Sequence, residues 1–372
     1  MALTPEQQHV LALIEKHQEP MPEYVKEYIL SKKRAGLSPN TLLQYLYRYK
    51  HFFNWTLSEG IISAPSITAI PYTELEVMKK DTIELYLDFL KEENISQDKN
   101  TVEHRGPAVV ELSVHALKAL FNYLTKETEN DDGECYFYRN VMSKIVLHTK
   151  RETANRRARN ISSVLLNEAE LNEYLQFIKN GYGDQLTSST TKLRYERDLE
   201  RDLAINSLIL GTGMRVGEIA TIHMKKVHLN KGTIEITRKG GTEDTVLVMD
   251  SALKDLKQYI QIRESRYKGA KDCPFLFVSG YGGSAKPLSR RAIQNIVNKY
   301  TAAFGQSNGI SPHKLRHSFA VDFIRNGGDI ILLRDQLGHN DIKTTSLYTN
   351  MANTDSQRVL DKMEQHRKNK FD

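Results

Sequence analysis

The sequence predicts two domains: an all-α N-terminal domain, then a mainly α C-terminal domain that carries a small antiparallel sheet. Three observations predict it. From Thr4 to Lys126, Leu, Ile, Tyr and Phe recur at three- and four-residue intervals with few β-branched runs, the period of helices packed on one core. The clear alternating runs, Thr233–Thr237 and Asp244–Met249, flank the Gly240-Gly241 pair and read as one hairpin. Between the two halves, Lys144–Arg159 sets Lys144, Lys150, Arg151, Arg156, Arg157 and Arg159 against one acid, Glu152. At about 150 residues per domain, 372 residues make two or three domains, enough to bury cores without cross-links.

The N-terminal helices are expected at Thr4–His17, Pro22–Ala35, Pro39–Glu59, Lys80–Glu93 and Pro107–Lys126. Ser38 is a good N-cap, and Pro39 and Pro107 stand where a helix needs no amide donor. The third helix carries Tyr45, Tyr49, Phe52 and Phe53 with Arg48, Lys50 and His51 between them. That pattern suits a core stripe with a solvated face, and equally a surface turned to a polyanion. An acidic stretch, Glu127–Glu134, approaches the end of this domain, residues 1–148. The basic linker, 149–166, is polar as a solvated linker would be, but its charge is almost all of one sign, which solvation does not require and which a path along phosphates accounts for more economically.

A capped helix at Asn167–Lys179 opens the second domain, 167–353. Helices at Tyr195–Ile209 and Met214–Ile222 precede the hairpin. From Leu253 onward the pattern is helical, broken at Gly269, Gly280–Gly283 and Gly305–Gly309. A tail, 354–372, holds a last helix at Asp355–Lys370 with Val359, Leu360 and Met363 on one face; it suits a cap on its own domain or a contact with another copy.

Composition narrows the chemistry. The 52 Lys and Arg residues against 46 Asp and Glu leave a charge of +6, which permits a polyanionic partner without requiring one. Cys135 and Cys273 stand far apart with no second Cys or spaced His pair beside them, so a disulfide framework and a structural zinc knot are both unexpected. No stretch approaches the ~18 apolar residues of a membrane span, and the start lacks the segments of a secretory leader, so a cytoplasmic protein is expected.

The text from Leu208 to Gly217, Leu-Ile-Leu-Gly-Thr-Gly-Met-Arg-Val-Gly, looks at first like a strand entering a nucleotide loop. A phosphate loop needs Gly-Lys and then Ser or Thr, whereas Glu218 follows Gly217; a dinucleotide fold needs a βαβ unit, whereas a hairpin follows. The glycines are expected instead to end one helix and start another, so that Arg215 emerges in its first turn. No cofactor and no metal is expected.

Four short segments carry groups suited to a phosphate. They are Arg215 in Gly-Met-Arg-Val-Gly-Glu, Lys239 in Thr-Arg-Lys-Gly-Gly, His313 and Arg316 in Ser-Pro-His-Lys-Leu-Arg-His, and His339 and Tyr348 in Leu-Gly-His-Asn and Leu-Tyr-Thr. Ser311 as N-cap and Pro312 behind it put His313 in a first turn, with Arg316 on its face and Leu315 and Phe319 pointing away. His317 stands four residues from His313, a zinc spacing, but no glutamate of the HExxH kind lies between them. Asp329 caps a helix that Gly338 ends, leaving His339 just past its terminus, and a short helix from Asp341 brings Tyr348 round. Singly, each residue has a plain alternative: Arg215 with Glu218 as a surface pair, His339 as a turn residue, Tyr348 as a core aromatic.

Together these residues resemble the signature of the tyrosine site-specific recombinases, the lambda-integrase family: Arg, Lys, His-x-x-Arg, His, and a nucleophilic Tyr nine residues after that His. Arg215, Lys239, His313, Arg316, His339 and Tyr348 stand in that order, with Glu218 at the acid three residues after the first Arg. The resemblance covers Asn167 to about Asn353 well, and the helical half more loosely as a SAM-like core-binding domain. It implies the DNA breaking-rejoining fold. It further implies that Tyr348 attacks a DNA phosphorus to form a 3′-phosphotyrosyl link while Arg215 and Arg316 hold the non-bridging oxygens. Lys239 would protonate the departing 5′-oxygen, His313 would assist proton transfer from Tyr348, and His339 would hydrogen-bond the phosphate, with neither metal nor ATP.

The partners implied are double-stranded DNA with a specific recombination site, a homotetramer on two such sites in which the tail docks on a neighbour, and, as a candidate activator, a DNA translocase. The length of the N-terminal half, without a separate β-rich module, resembles the Xer-type branch that resolves chromosome dimers at cell division, in its single-recombinase form. Three alternatives stay open: an integrase of a phage or conjugative element, a non-catalytic DNA-binding protein of the same fold, and a type IB topoisomerase-like enzyme working as a monomer.

Overall fold

The computed structural model describes residues 5–94, 103–147, 153, 156, 165–238, 241–280, 282–305, 309–339 and 342–352. Most of the basic linker, the whole tail, and Lys239, Gly240 and Asp341 lie outside the described residues. The chain divides into two compact units, Met1–Lys150 and Arg151–Asp372.

The first unit is helical: α1 (Pro5–Gln18), α2 (Glu23–Arg34), α3 (Pro39–Ser58), α4 (Tyr72–Glu76), α5 (Lys80–Glu92) and α6 (Pro107–Lys126). Five of these end within a residue of the expected bounds. The unexpected one, α4, spans barely more than one turn and has no period to read. The aromatic stripe of α3 goes inward. Tyr49, Phe52 and Phe53 are fully buried, and the Tyr49 hydroxyl donates to the Ala116 carbonyl of α6 at 2.9 Å, so its polar end is satisfied. Phe52 meets Tyr86 of α5 edge to face at 4.9 Å. Burying each such ring contributes on the order of 2 to 3 kcal/mol, which is why the stripe belongs to the core and not to a surface.

The second unit opens at α7 (Glu168–Gln176). Its capping box is formed: the Asn167 side chain accepts from the Glu170 amide at 3.0 Å and Glu170 accepts from the Asn167 amide at 2.8 Å. The chain continues through a π turn, Phe177–Gly181, to α8 (Ser189–Thr212), which begins earlier and ends later than the expected Tyr195–Ile209. Its first turns, Ser189 to Arg194, are exposed and carry no apolar stripe. Next come α9 (Val216–Ala220), shorter than Met214–Ile222, and strands β1 (Val227–His228), β2 (Thr233–Thr237) and β3 (Glu243–Leu247). The three strands form one antiparallel sheet in chain order, with Ile234 opposite Val246. The remainder comprises α10 (Asp250–Arg266), a two-residue ladder of β4 (Val278–Ser279) with β5 (Lys286–Pro287), then α11 (Arg290–Ala303), α12 (Pro312–Arg325), α13 (Ile330–Leu337) and α14 (Ile342–Ala352).

The spine of this unit is α8, whose Leu203, Ile205, Leu208 and Ile209 are buried. A Cβ on Gly211 would lie 2.6 Å from the Ala252 Cβ, so glycine is what lets α8 and α10 touch. A smaller cluster of Phe319, Ala320, Val321, Leu333, Leu337 and Tyr348 binds α12, α13 and α14 together. Among the described residues no helix is long and apolar enough to cross a membrane.

Candidate active site

The site is built around the C-terminal end of α13. A helix leaves its last carbonyls without intrahelical partners and gathers partial negative charge there. Asp329 caps the start of α13 by accepting from the Ile331 amide at 2.7 Å, and Gly338 ends it in the left-handed region at φ +64°. Three guanidiniums, from three different elements, converge on that end. Arg238 donates to Gln336 O at 2.9 Å and Leu337 O at 3.2 Å; Arg215 donates to Leu337 O and Gly338 O, both at 3.3 Å; Arg316 donates to Leu337 O at 2.9 Å. One carbonyl thus gathers three cations.

The Gly-Thr-Gly text explains how Arg215 arrives. α8 stops at Gly213, at φ +67°, where a Cβ would sit 2.5 Å from Phe319 and 2.7 Å from Leu337. Only glycine turns the chain this close to α12 and α13. Arg215 is then the N-cap of α9 with extended backbone, φ −74° and ψ 148°, rather than a first-turn residue as expected. Glu218 reaches back to accept from its amide at 2.7 Å and from Nη1 at 2.9 Å. Glu218, 5 % exposed, also accepts from Arg238 Nη1 at 3.3 Å, so one buried carboxylate serves two arginines.

Arg316 is different. It is 1 % exposed, donates to Gly213 O at 2.7 Å and to His339 Nε2 at 2.9 Å, and forms no ion pair with a carboxylate among the described residues. Burial and the neighbouring Arg215 pull its pKa down to about 10. A cation held by neutral acceptors in a desolvated place raises the energy of the free protein and gains when an anion comes within reach.

His339 accepts from Arg316 through Nε2, which puts its proton on Nδ1, 2.9 Å from the Thr345 hydroxyl. Burial, then Arg316, Arg215, Arg238 and His313, pull its pKa to about 4, so the ring is neutral at neutral pH. His313 is lowered too, by desolvation and by Arg316 and Arg215. Because the unfolded chain takes up these protons first, this stabilisation is complete above the unfolded value of 6.5 and is lost as pH falls toward 4. The melting temperature of the free protein is therefore expected to fall between pH 7 and 4.5, and to fall less steeply in His339→Gln; parallel curves for the two proteins would contradict this.

Tyr348 is 2 % exposed, packed among Phe319, Leu333 and Leu337. Its ring centroid lies 5.3 Å from that of His317 and 6.3 Å from that of His339, nearly parallel to the latter. Burial raises the phenol pKa, while Arg316 and Arg215 act the other way. His313 and His317 meet edge to face at 4.4 Å, and among the described residues no group of three or more His, Cys, Asp or Glu gathers as a cation site.

Five of the six residues expected from the sequence, Arg215, His313, Arg316, His339 and Tyr348, are thus gathered within one region of one unit. The sixth, Lys239, lies outside the described residues; the residues flanking its turn are joined by Gly241 N to Arg238 O at 3.1 Å and Arg238 N to Thr242 O at 2.7 Å. Arg238 itself was not anticipated. Its one sequence signal is its position immediately before Lys239, at the end of an alternating strand.

Residues 182–355 match the phage integrase family. The tyrosine recombinases XerS of Streptococcus gordonii (strain Challis) and of Streptococcus mutans serotype c are each 36% identical over 354 residues, 95% of this chain and 99% of each relative. Among solved structures, the XerH site-specific recombinase in its pre-cleavage complex with difH matches with a TM-score of 0.56 at 22% identity, covering 87% of this chain and 78% of that one. The Tn1549 transposon integrase in complex with a circular intermediate DNA matches with the same TM-score, 0.56, at 16% identity, covering 91% and 99%. At those identities the two structures speak for the fold, whereas the XerS relatives align from end to end: the chain belongs to the tyrosine recombinase family.

Proposed function

We propose that this recombinase cuts and rejoins two copies of a specific duplex site in the cytoplasm, and that the reaction resolves chromosome dimers before division. The observation that carries the catalytic part is the desolvated Arg316 sharing the Leu337 carbonyl with Arg215, with the buried Tyr348 within the field of both. Tyr348 attacks phosphorus, and His313 assists removal of the phenolic proton. The bond to the 5′-oxygen breaks as Lys239 supplies that oxygen with a proton. Arg215 and Arg316 hold the non-bridging oxygens, for which planar bidentate donors fit better than a point charge. His339 hydrogen-bonds the phosphate.

The product is a 3′-phosphotyrosyl ester. One phosphoester has replaced another, so the bond energy is kept and a 5′-hydroxyl from the partner duplex reverses the attack without ATP. Residues 1–148 act as the core-binding domain, 149–166 as a basic linker along the backbone, and 167–353 as the catalytic domain. The tail, 354–372, joins protomers in a homotetramer, and a DNA translocase serves as activator. The chromosomal reading is favoured over a mobile-element integrase by XerS relatives matched over 99% of their length.

The test is incubation with a nicked suicide duplex bearing the site, in chelator and without nucleotide, followed by a denaturing gel. A covalent adduct is expected, together with resolution of a two-site supercoiled plasmid into two circles. Binding without an adduct would leave only a DNA-binding protein. Relaxation without resolution would point to a topoisomerase.

A further inference from the structure

We propose that Arg238 is a positioning residue that braces the β2–β3 turn against the end of α13 and so sets the reach of Lys239. The inference rests on the reading of Lys239 as the acid for the leaving oxygen.

Arg238 closes the turn in which Lys239 stands: its amide donates to Thr242 O at 2.7 Å and its carbonyl accepts from Gly241 N at 3.1 Å. Its side chain, 7 % exposed, runs back into the domain. Nε donates to Asp244 at 2.9 Å, Nη1 to Glu218 at 3.3 Å and Leu337 O at 3.2 Å, and Nη2 to Gln336 O at 2.9 Å and Asp335 O at 3.5 Å. Every donor of the guanidinium is engaged by the protein, which makes Arg238 a brace and not a phosphate ligand.

The backbone is shaped to receive it. A Cβ on Gly338 would lie 2.5 Å from Arg238 Nε, so the residue before His339 must be glycine for the guanidinium to lie where it does. Through Glu218 the same side chain is tied to Arg215, and through Leu337 O to Arg316. The need for a brace follows from the hairpin itself. Glu243, Thr245 and Leu247 of β3 are exposed, so on that side the hairpin faces solvent, and at its turn end the tie to α13 runs through Arg238. A misplacement of about 1 Å in a reacting group costs on the order of a hundredfold in rate.

Arg238→Lys, Arg238→Gln and Asp244→Asn, made in the full chain, separate this role from a general structural one. Each is assayed on suicide duplexes whose scissile phosphate carries either the ordinary 5′-oxygen or a 5′-bridging sulfur, which departs as a thiolate and needs no proton. Both Arg238 variants are expected to cut the oxygen substrate about 10- to 100-fold more slowly and the sulfur substrate near the wild-type rate. Asp244→Asn, which leaves the buried contacts in place, is expected to show a milder loss with the same rescue, and reads the role even if an Arg238 variant folds poorly.

Equal losses on both substrates would overturn the inference, because Arg238 would then serve Arg215 through Glu218, or the fold as a whole. Lys239→Ala is the reference: if sulfur fails to rescue it, the assignment of Lys239 falls and takes this inference with it. Rescue of Lys239→Ala without rescue of the Arg238 and Asp244 variants sinks the brace alone.

Discussion

Replacing Tyr348 with Phe is expected to abolish the covalent protein–DNA adduct while leaving duplex affinity within about twofold of wild type. The ring already behaves as a core aromatic: it is 2 % exposed and packed with Phe319, Leu333 and Leu337, all of which a phenylalanine keeps. Only the hydroxyl is lost. Burial holds that hydroxyl protonated, so its removal withdraws no charge from the free protein and costs on the order of 1 to 2 kcal/mol of stability, the worth of its hydrogen bond with Arg316. Binding and melting thus stay near wild type as chemistry disappears, which separates loss of the nucleophile from loss of the fold. The measurements are a denaturing gel for adduct and a mobility shift for binding. An adduct that persists in the Phe variant would place the nucleophile elsewhere.

Much of the site was legible because its placement follows local rules. Ser311 and Pro312 start α12, Asp329 starts α13 and Gly338 ends it, and each act of capping is read from one or two side chains. Those caps fix where Arg316 and His339 stand, and the order of the six residues supplied the family resemblance. The expectation that the glycines of the Gly211-Thr212-Gly213 text end a helix holds at Gly213, while α8 runs on past Ile209 through Gly211 and Thr212; the reason is tertiary, since both glycines are pressed against neighbouring elements.

What stayed hidden lacks a local signal. The strands β1, β4 and β5 are two residues long, too short for alternation to appear. The first turns of α8 are polar but for one exposed leucine, Leu193, so no stripe marks them as helix. In α3 the spacing of Tyr45 to Phe53 is the same for a core stripe and for a binding face, and packing against α5 and α6 decided it. Arg238 is the sharpest case. Its side chain is held mainly by the end of a helix almost a hundred residues later, with Glu218 and Asp244, so a reader of the chain sees only one more basic residue beside a lysine.

Arg316→Met is expected to slow adduct formation by about 10²- to 10³-fold, the loss of roughly 3 kcal/mol of transition-state stabilisation typical of a preorganised donor. The free protein, by contrast, is expected to melt within a few degrees of wild type or above it. The guanidinium is 1 % exposed, forms no carboxylate ion pair among the described residues, and is pulled down to about 10 by burial and by Arg215. Replacing such a group by an apolar side chain of similar volume removes a desolvated charge, a change that is often neutral or stabilising. Against this, the carbonyls of Gly213 and Leu337 lose a donor, and Leu337 O keeps Arg215 and Arg238. The two terms oppose, so stability moves little. Catalysis has no such compensation, because Arg215 alone supplies only part of the donors that the charge developing on the phosphate calls for. Arg316→Lys, which keeps the charge but not the fork, should recover only part of the rate. Melting temperatures and single-turnover cleavage measured on the same preparations decide the matter: a variant that cleaves poorly only because it unfolds would show the two losses together, whereas a residue kept for the phosphate at the expense of the free fold shows one without the other.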